Sequence, residues 1–282
     1  MYGIIDTFGI TLERIRQHSL LVFWVEVGMT IAITLALSLP LYVDAVYSGI
    51  LDSRLDTPPY AYRLRYLGAW EGNVGLDDRT AINAAINDQF VEEIGLPIAQ
   101  FTRFTSGGTW SVQATESNLR LGTFGVSAAV GLNDLMEITA GEWIPEQAGD
   151  DGRVPLLIPE AMLFENGIQV GDELIIQPPG SEAIDAYVAA MWRPLNENDP
   201  RWLFPPRFFA EEMLIPEATL LDLIAALDNE TPIDELAWYL IFDGSGVRTA
   251  DIDSLLTRSD TGQRAIERAL PGIRLSDAQV HR

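Results

Sequence analysis

The stretch that most constrains this chain is Leu20–Val43, LLVFWVEVGMTIAITLALSLPLYV, whose one charged residue is Glu26. As a helix rising about 1.5 Å per residue it would be roughly 36 Å long, enough to cross a hydrocarbon core of about 30 Å with some tilt. A cleaved signal peptide competes with that reading, and Val43-Asp44-Ala45 offers a passable cut site. Against it, 19 residues precede the run, and the run exceeds the 7–15 or so of a signal core unless only Gly28–Val43 counts. A buried core helix is disfavoured because such helices rarely stay apolar all round for six turns. The expectation is an uncleaved transmembrane helix over residues 20–43.

The flanks suggest an orientation. Ile4, Ile5, Phe8, Leu12 and Ile15 recur at helical spacing among Glu13, Arg14, Arg16 and His18, so residues 1–19 read as an amphipathic segment on a membrane surface. Arg14 and Arg16 before the run, against Asp44 and Asp52 after it, give a positive-inside signal. This predicts a cytoplasmic amino terminus in the cell (plasma) membrane and an extracytoplasmic remainder. Glu26 lies about two turns into the run. Either it meets another transmembrane helix or it reaches water at the headgroups.

Charge and missing residue types narrow the functions. All 18 basic residues are Arg, and past Val43 there are 16 Arg against 38 Asp and Glu. That surface repels phosphate backbones, so no nucleic-acid partner is expected. With no Cys there are no disulfides or thiolate sites. His18 and His281 stand at opposite ends of the chain, which makes a Ser-His-Asp arrangement or a zinc site implausible. Gly244-Ser245-Gly246 lacks the Lys of a phosphate loop. The acidic pairs Asp77/Asp78, Glu92/Glu93, Asp150/Asp151 and Glu211/Glu212 read as solvated faces, since neighbouring side chains point apart. No catalytic residue, cofactor or metal is expected. Asn229-Glu230-Thr231 fits a glycosylation acceptor, weakened by Pro232.

Past the span, residues 44–57 predict a stalk ending at Thr57-Pro58-Pro59. Tyr60–Leu67 alternates as a half-buried strand, and Asp77–Gly95 carries helix start and stop signals. Residues 99–105 and 109–115, separated by Ser106-Gly107-Gly108, predict a hairpin. Arg120–Ala128 adds a strand. Leu135–Trp143 then leads to an acidic loop (146–153), a strand at Val154–Ile158, a helix at Pro159–Asn166, a turn and strand at Val170–Ile176, and strands at 187–192 and 238–242. The fold class is α+β over residues 58–282.

The order of Leu135–Trp143, Val154–Phe164, Val170–Ile176 and Val188–Trp192, behind an amphipathic segment and one span, resembles the extracytoplasmic domain of MacB/FtsX/LolC-type ABC transporter permeases. The resemblance implies a mixed α+β part at about 55–115 plus 185–280, a β-rich subdomain at about 116–184, a cytoplasmic ABC ATPase partner and further transmembrane helices in membrane lipid. The family has three more spans after this domain. Asp243–Arg282 holds no run long enough for one, so the chain is expected to be a fragment or to find those spans on another chain.

Trp192–Phe209, WRPLNENDPRWLFPPRFF, is Pro-rich and aromatic without regular periodicity, and predicts an ordered loop packed by its own side chains. Either its aromatics cover one end of the core, or Trp202, Phe204 and Phe208 form an exposed patch for a substrate or partner. The expected function is a noncatalytic permease component coupling ATP hydrolysis by a partner to movement of an outer domain. The alternative is a single-span anchored sensor or adaptor that binds a ligand or protein.

Overall fold

The computed structural model describes residues 19–55, 61–67, 75–144, 152–227, 233–269 and 274–278. Residues 1–18, most of the acidic loop and Asn229 lie outside them. The chain divides into two units, Met1–Arg54 and Leu55–Arg282.

The first unit is carried by helix α1 (Ser19–Leu55), which contains all of residues 20–43. Its side chains are described without a break over residues 23–38. Among the described residues, no helix is long and apolar enough to cross a membrane.

The second unit is a mixed α+β body built on a sheet that has ten strands among the described residues. One end of the sheet runs β10 (Arg274–Ala278), β1 (Ala61–Leu67), β9 (Glu235–Phe242) and β2 (Ile98–Ala114), all antiparallel. β9 reads ELAWYLIF and is buried at every position. Leu236, Trp238, Leu240 and Phe242 enter one core cluster, while Ala237, Tyr239 and Ile241 enter a second. A strand covered on both faces needs no polar alternation.

The first cluster is roofed by helices. α2 is continuous through Leu76–Ala84, a π-helical turn at Ala85–Phe90, and Val91–Ile94, and it ends at Gly95 in the left-handed conformation. It packs against a late helix, Ile252–Ala269, whose Leu255, Ser259, Gly262 and Ile266 form the buried stripe. Arg258 of that helix donates to the Ile94 carbonyl at 2.9 Å, satisfying an orphan acceptor at the α2 terminus. Trp238 Nε1 donates to Asn83 Oδ1 at 2.7 Å, fixing α2 to the sheet.

The expected hairpin at Ser106-Gly107-Gly108 is not formed. β2 runs through it as one 17-residue strand. Its pairing with β3 (Arg120–Val130) shifts between Ser106 and Thr109, so the glycines make a β-bulge instead of a turn. Gly108 adopts φ +81°, and a Cβ on Gly107 would press on Trp110, Leu220 and the Val126 carbonyl. Before the bulge β2 pairs with β9; beyond it, Ser111–Ala114 pairs with β6 (Glu173–Gln177).

That bend closes a ring. β2 pairs with β3, β3 with β8 (Glu212–Leu214), β8 with β5 (Val154–Pro159), β5 with β7 (Ile184–Pro194), β7 with β6, and β6 with β2 again. The ring is a six-stranded barrel, filled by side chains including Trp110, Val112, Phe124, Val126, Leu156, Leu174, Ile176 and Val188. β4 (Met136–Gly141) adds to β7 as an edge. α3 (Ala161–Asn166) follows β5 and α4 (Glu217–Ala226) follows β8; with α2 already assigned, the helix at 252–269 is α5.

Candidate functional site

Helix α1 exposes large apolar side chains around its circumference, among them Phe23, Trp24, Val25, Met29, Ile31, Ile33, Leu35 and Leu37, each at least half accessible. Its polar side chains follow another rule. Thr30 Oγ1 donates to the Glu26 carbonyl at 2.8 Å, Thr34 Oγ1 to the Thr30 carbonyl at 2.8 Å, and Ser38 Oγ to the Leu35 carbonyl at 3.1 Å. The hydroxyls are satisfied by their own helix. Glu26, Thr30, Thr34 and Ser38 recur every four residues and so share one face. Glu26 itself is exposed.

The Pro-rich segment builds the second core. Trp202 (4 % exposed) and Phe204 (6 %) are buried, and Phe208 is half-buried. Of the two alternatives left open by the sequence, Trp202 and Phe204 take the first, packing into the core with both side chains already used. Trp202 stacks on Trp192 at 6.0 Å, Phe204 stacks on Phe208 at 4.3 Å, and Phe104 of β2 meets Phe204, Phe208 and Phe209 edge-on. Trp202 Nε1 donates to the Asn196 carbonyl and Tyr239 Oη to the Pro200 carbonyl, both at 2.9 Å. Asp199, held below its ordinary range first by the hydrogen bond from Arg201, closes the turn. The second half of the segment forms a short 3₁₀ helix, Pro206–Glu211.

Two polar constellations flank the bulge of β2. In the first, Glu217 at the start of α4 accepts from Arg103 of β2, with Arg103 Nε at 2.6 Å, and from Arg79 of α2 at 2.5 Å. One carboxylate thus ties three elements together. Burial pulls the Arg79 guanidinium down, with Glu217 acting against that. Glu217 also lies on a groove of about 360 Å³ lined by Val130, Met136, Trp143, Leu157, Leu214 and Ile215.

In the second, Ser127 of β3, fully buried, donates to Glu212 Oε2 of β8 at 2.6 Å. Glu235 of β9 is buried and paired with Arg65 of β1, whose guanidinium also lies 5.5 Å from the Phe204 ring centre. The Glu211/Glu212 pair expected to be a solvated face is divided: Glu211 is exposed, whereas the Glu212 carboxyl turns inward. No local sequence pattern separates the two, because the space that Glu212 turns into lies on β3. Among the described residues, no group of three or more His, Asp or Glu side chains is arranged to hold a metal ion.

The body is thus an α+β sheet continuous with a closed barrel, and its polar groups sit at the junction. No family model and no curated protein matches the chain. Among solved structures, one described as "a domain of a putative Permease protein" from Porphyromonas gingivalis is 16% identical, with a TM-score of 0.40, covering 78% of this chain and 92% of that chain. A likeness of that extent carries over neither ligand nor activity, which reside in sites.

Proposed function

We propose that the chain is a noncatalytic permease component of a MacB/FtsX/LolC-type ABC transporter. In this reading α1 is its first transmembrane helix, with a cytoplasmic amino terminus, and Leu55–Arg282 is an extracytoplasmic domain. A cytoplasmic ABC ATPase supplies the energy, further transmembrane helices complete the membrane part, and the outer domain moves a substrate by changing position, without chemistry of its own.

The observation that supports this most is the apolar surface of α1. Eight large apolar side chains between Phe23 and Leu37 are at least half accessible. In water such a surface drives association, whereas lipid solvates it. The self-satisfied hydroxyls of Thr30, Thr34 and Ser38 suit the same surroundings. Glu26 on their face is the contact for a neighbouring helix, since a charge in a span seeks a partner. The order of sequence motifs between Leu135 and Trp192 supports the family.

Purification of the full chain from native membranes in mild detergent tests the reading. Expected is co-recovery of an ABC ATPase and a multi-span subunit, with Glu26→Leu reducing recovery of the latter. Recovery of the chain alone, monodisperse and without either partner, overturns it.

A further inference from the structure

The barrel ring closes through β8, its shortest strand. β8 pairs in parallel with β3 over Gly125–Ser127 and Glu212–Leu214, and it reaches β5 at Leu157 and Leu214. At the head of this seam Gly125 and Glu212 are register partners, and the Glu212 carboxyl occupies the space where a Cβ of residue 125 would stand. Gly125 therefore provides a notch. Its φ is not in the left-handed region, so the glycine serves space and not conformation.

The surroundings of the notch do not compensate a negative charge. Among the described residues, the one hydrogen bond to the Glu212 side chain is from the Ser127 hydroxyl. The charged groups that bear on it are acidic: Glu211 from the 3₁₀ helix before β8, Asp234 just before β9, and Glu235 at its start. Glu235 is itself paired with Arg65 of β1. Ser106 of β2, which pairs with both Glu235 and Ser127, accepts from the Gly108 amide through its Oγ. On the β5 side of the seam Leu157 pairs with Leu214, and both belong to the second core.

We propose that Glu212 is a proton-operated latch on the β3–β8 seam. Protonated, its carboxyl seats in the Gly125 notch beside Ser127; ionised, it gives its proton to bulk water, leaves the notch, and the seam loosens. Burial is the largest cause of the shift that pushes Glu212 up to about 7, with Glu235, Asp234 and Glu211 adding to it and the Ser127 hydrogen bond opposing it. The latch therefore changes state near neutral pH. This does not depend on the membrane reading, since every group involved lies in the second unit.

Backbone hydrogen exchange on the full chain in mild detergent tests the proposal, with rates at residues 125–127 and 212–215 corrected for the intrinsic effect of pH. Between pH 5.5 and 8.0 the wild-type seam is expected to lose protection by about tenfold or more, while Glu212→Gln stays equally protected at both. Gly125→Ala, which fills the notch, should exchange at pH 5.5 as fast as wild type does at pH 8.0. A wild-type seam with the same protection at both pH values overturns the latch, as does a Glu212→Gln seam that keeps the pH step. Should Gly125→Ala fail to fold, the Glu212→Gln comparison decides alone.

Discussion

Glu217 and Glu212 are five residues apart, and both turn their carboxylates into the body of the protein, yet they meet opposite conditions. Glu217 accepts from two guanidiniums, Arg79 and Arg103. Glu212 has a neutral hydroxyl and three acidic neighbours. A buried charge is expensive in either case, and the cost is met by pairing at Glu217 and by protonation at Glu212. Pairing makes a clamp between three elements. Protonation makes a group that follows pH.

The strongest way to break the contrast is to unpair the clamp. Glu217→Ala leaves Arg79 and Arg103 without their shared acceptor, and chemical denaturation should register a loss of about 3–5 kcal/mol. Replacing all three residues with apolar ones of similar volume should restore most of it, because the desolvation cost disappears together with the attraction.

Next in size is the apolar counterpart of the clamp, the aromatic segment. Trp202→Ser removes the stack on Trp192 and the bond to the Asn196 carbonyl, and should cost about 3–4 kcal/mol in the same assay. Retained stability with lost partner recovery would instead return Trp202 to a contact role.

The latch should give a smaller and conditional effect. Glu212 is raised in the folded state to about 7 from an ordinary 4.5, so the folded protein binds the proton more tightly than the unfolded chain does. Its contribution is present below the unfolded value and is lost as pH rises from about 4.5 to about 7, amounting to about 3 kcal/mol at most. Thermal melts should therefore show Glu212→Gln matching wild type at pH 4.5 and exceeding it at pH 8. The smallest effect belongs to an exposed pair. Arg153 and Glu173 meet at 3.0 Å with both side chains largely in water, and Glu173→Gln should change stability by about 0.5 kcal/mol or less.

Much of the sheet was legible because its strands keep a simple period. Tyr62, Leu64 and Tyr66 alternate with Arg63 and Arg65, and the strands and helix between Val154 and Trp192 are bounded by turn residues. The hairpin at Gly107-Gly108 was misread because glycine pairs serve bulges as well as turns; what distinguishes them is the distant β9 and β6, which no local pattern reports. α5 escaped because Ser259 and Gly262 occupy its buried stripe, Gly262 leaving room for Phe90, so its apolar period is interrupted. α4 was hidden behind Pro216 in a segment without a cap signal. Of the site residues, Glu26 could be placed on a helix, while Trp202, Phe204 and Phe208 could not be assigned to core or surface, since an aromatic residue among prolines suits both. Glu212 was invisible as half of an acidic pair; its inward turn depends on an empty volume at Gly125, which belongs to another strand.

The placement of β1 has a consequence for synthesis. It lies between β9 and β10, and its Arg65 partners Glu235 across 170 residues. At roughly 5–20 residues per second, a ribosome delivers β9 on the order of 10 s or more after β1. During that interval Tyr62, Leu64 and Tyr66 have no sheet to join. The first strand of the body to be made is therefore among the last to be placed, and a nascent chain halted before residue 235 should hold it open to any passing chaperone.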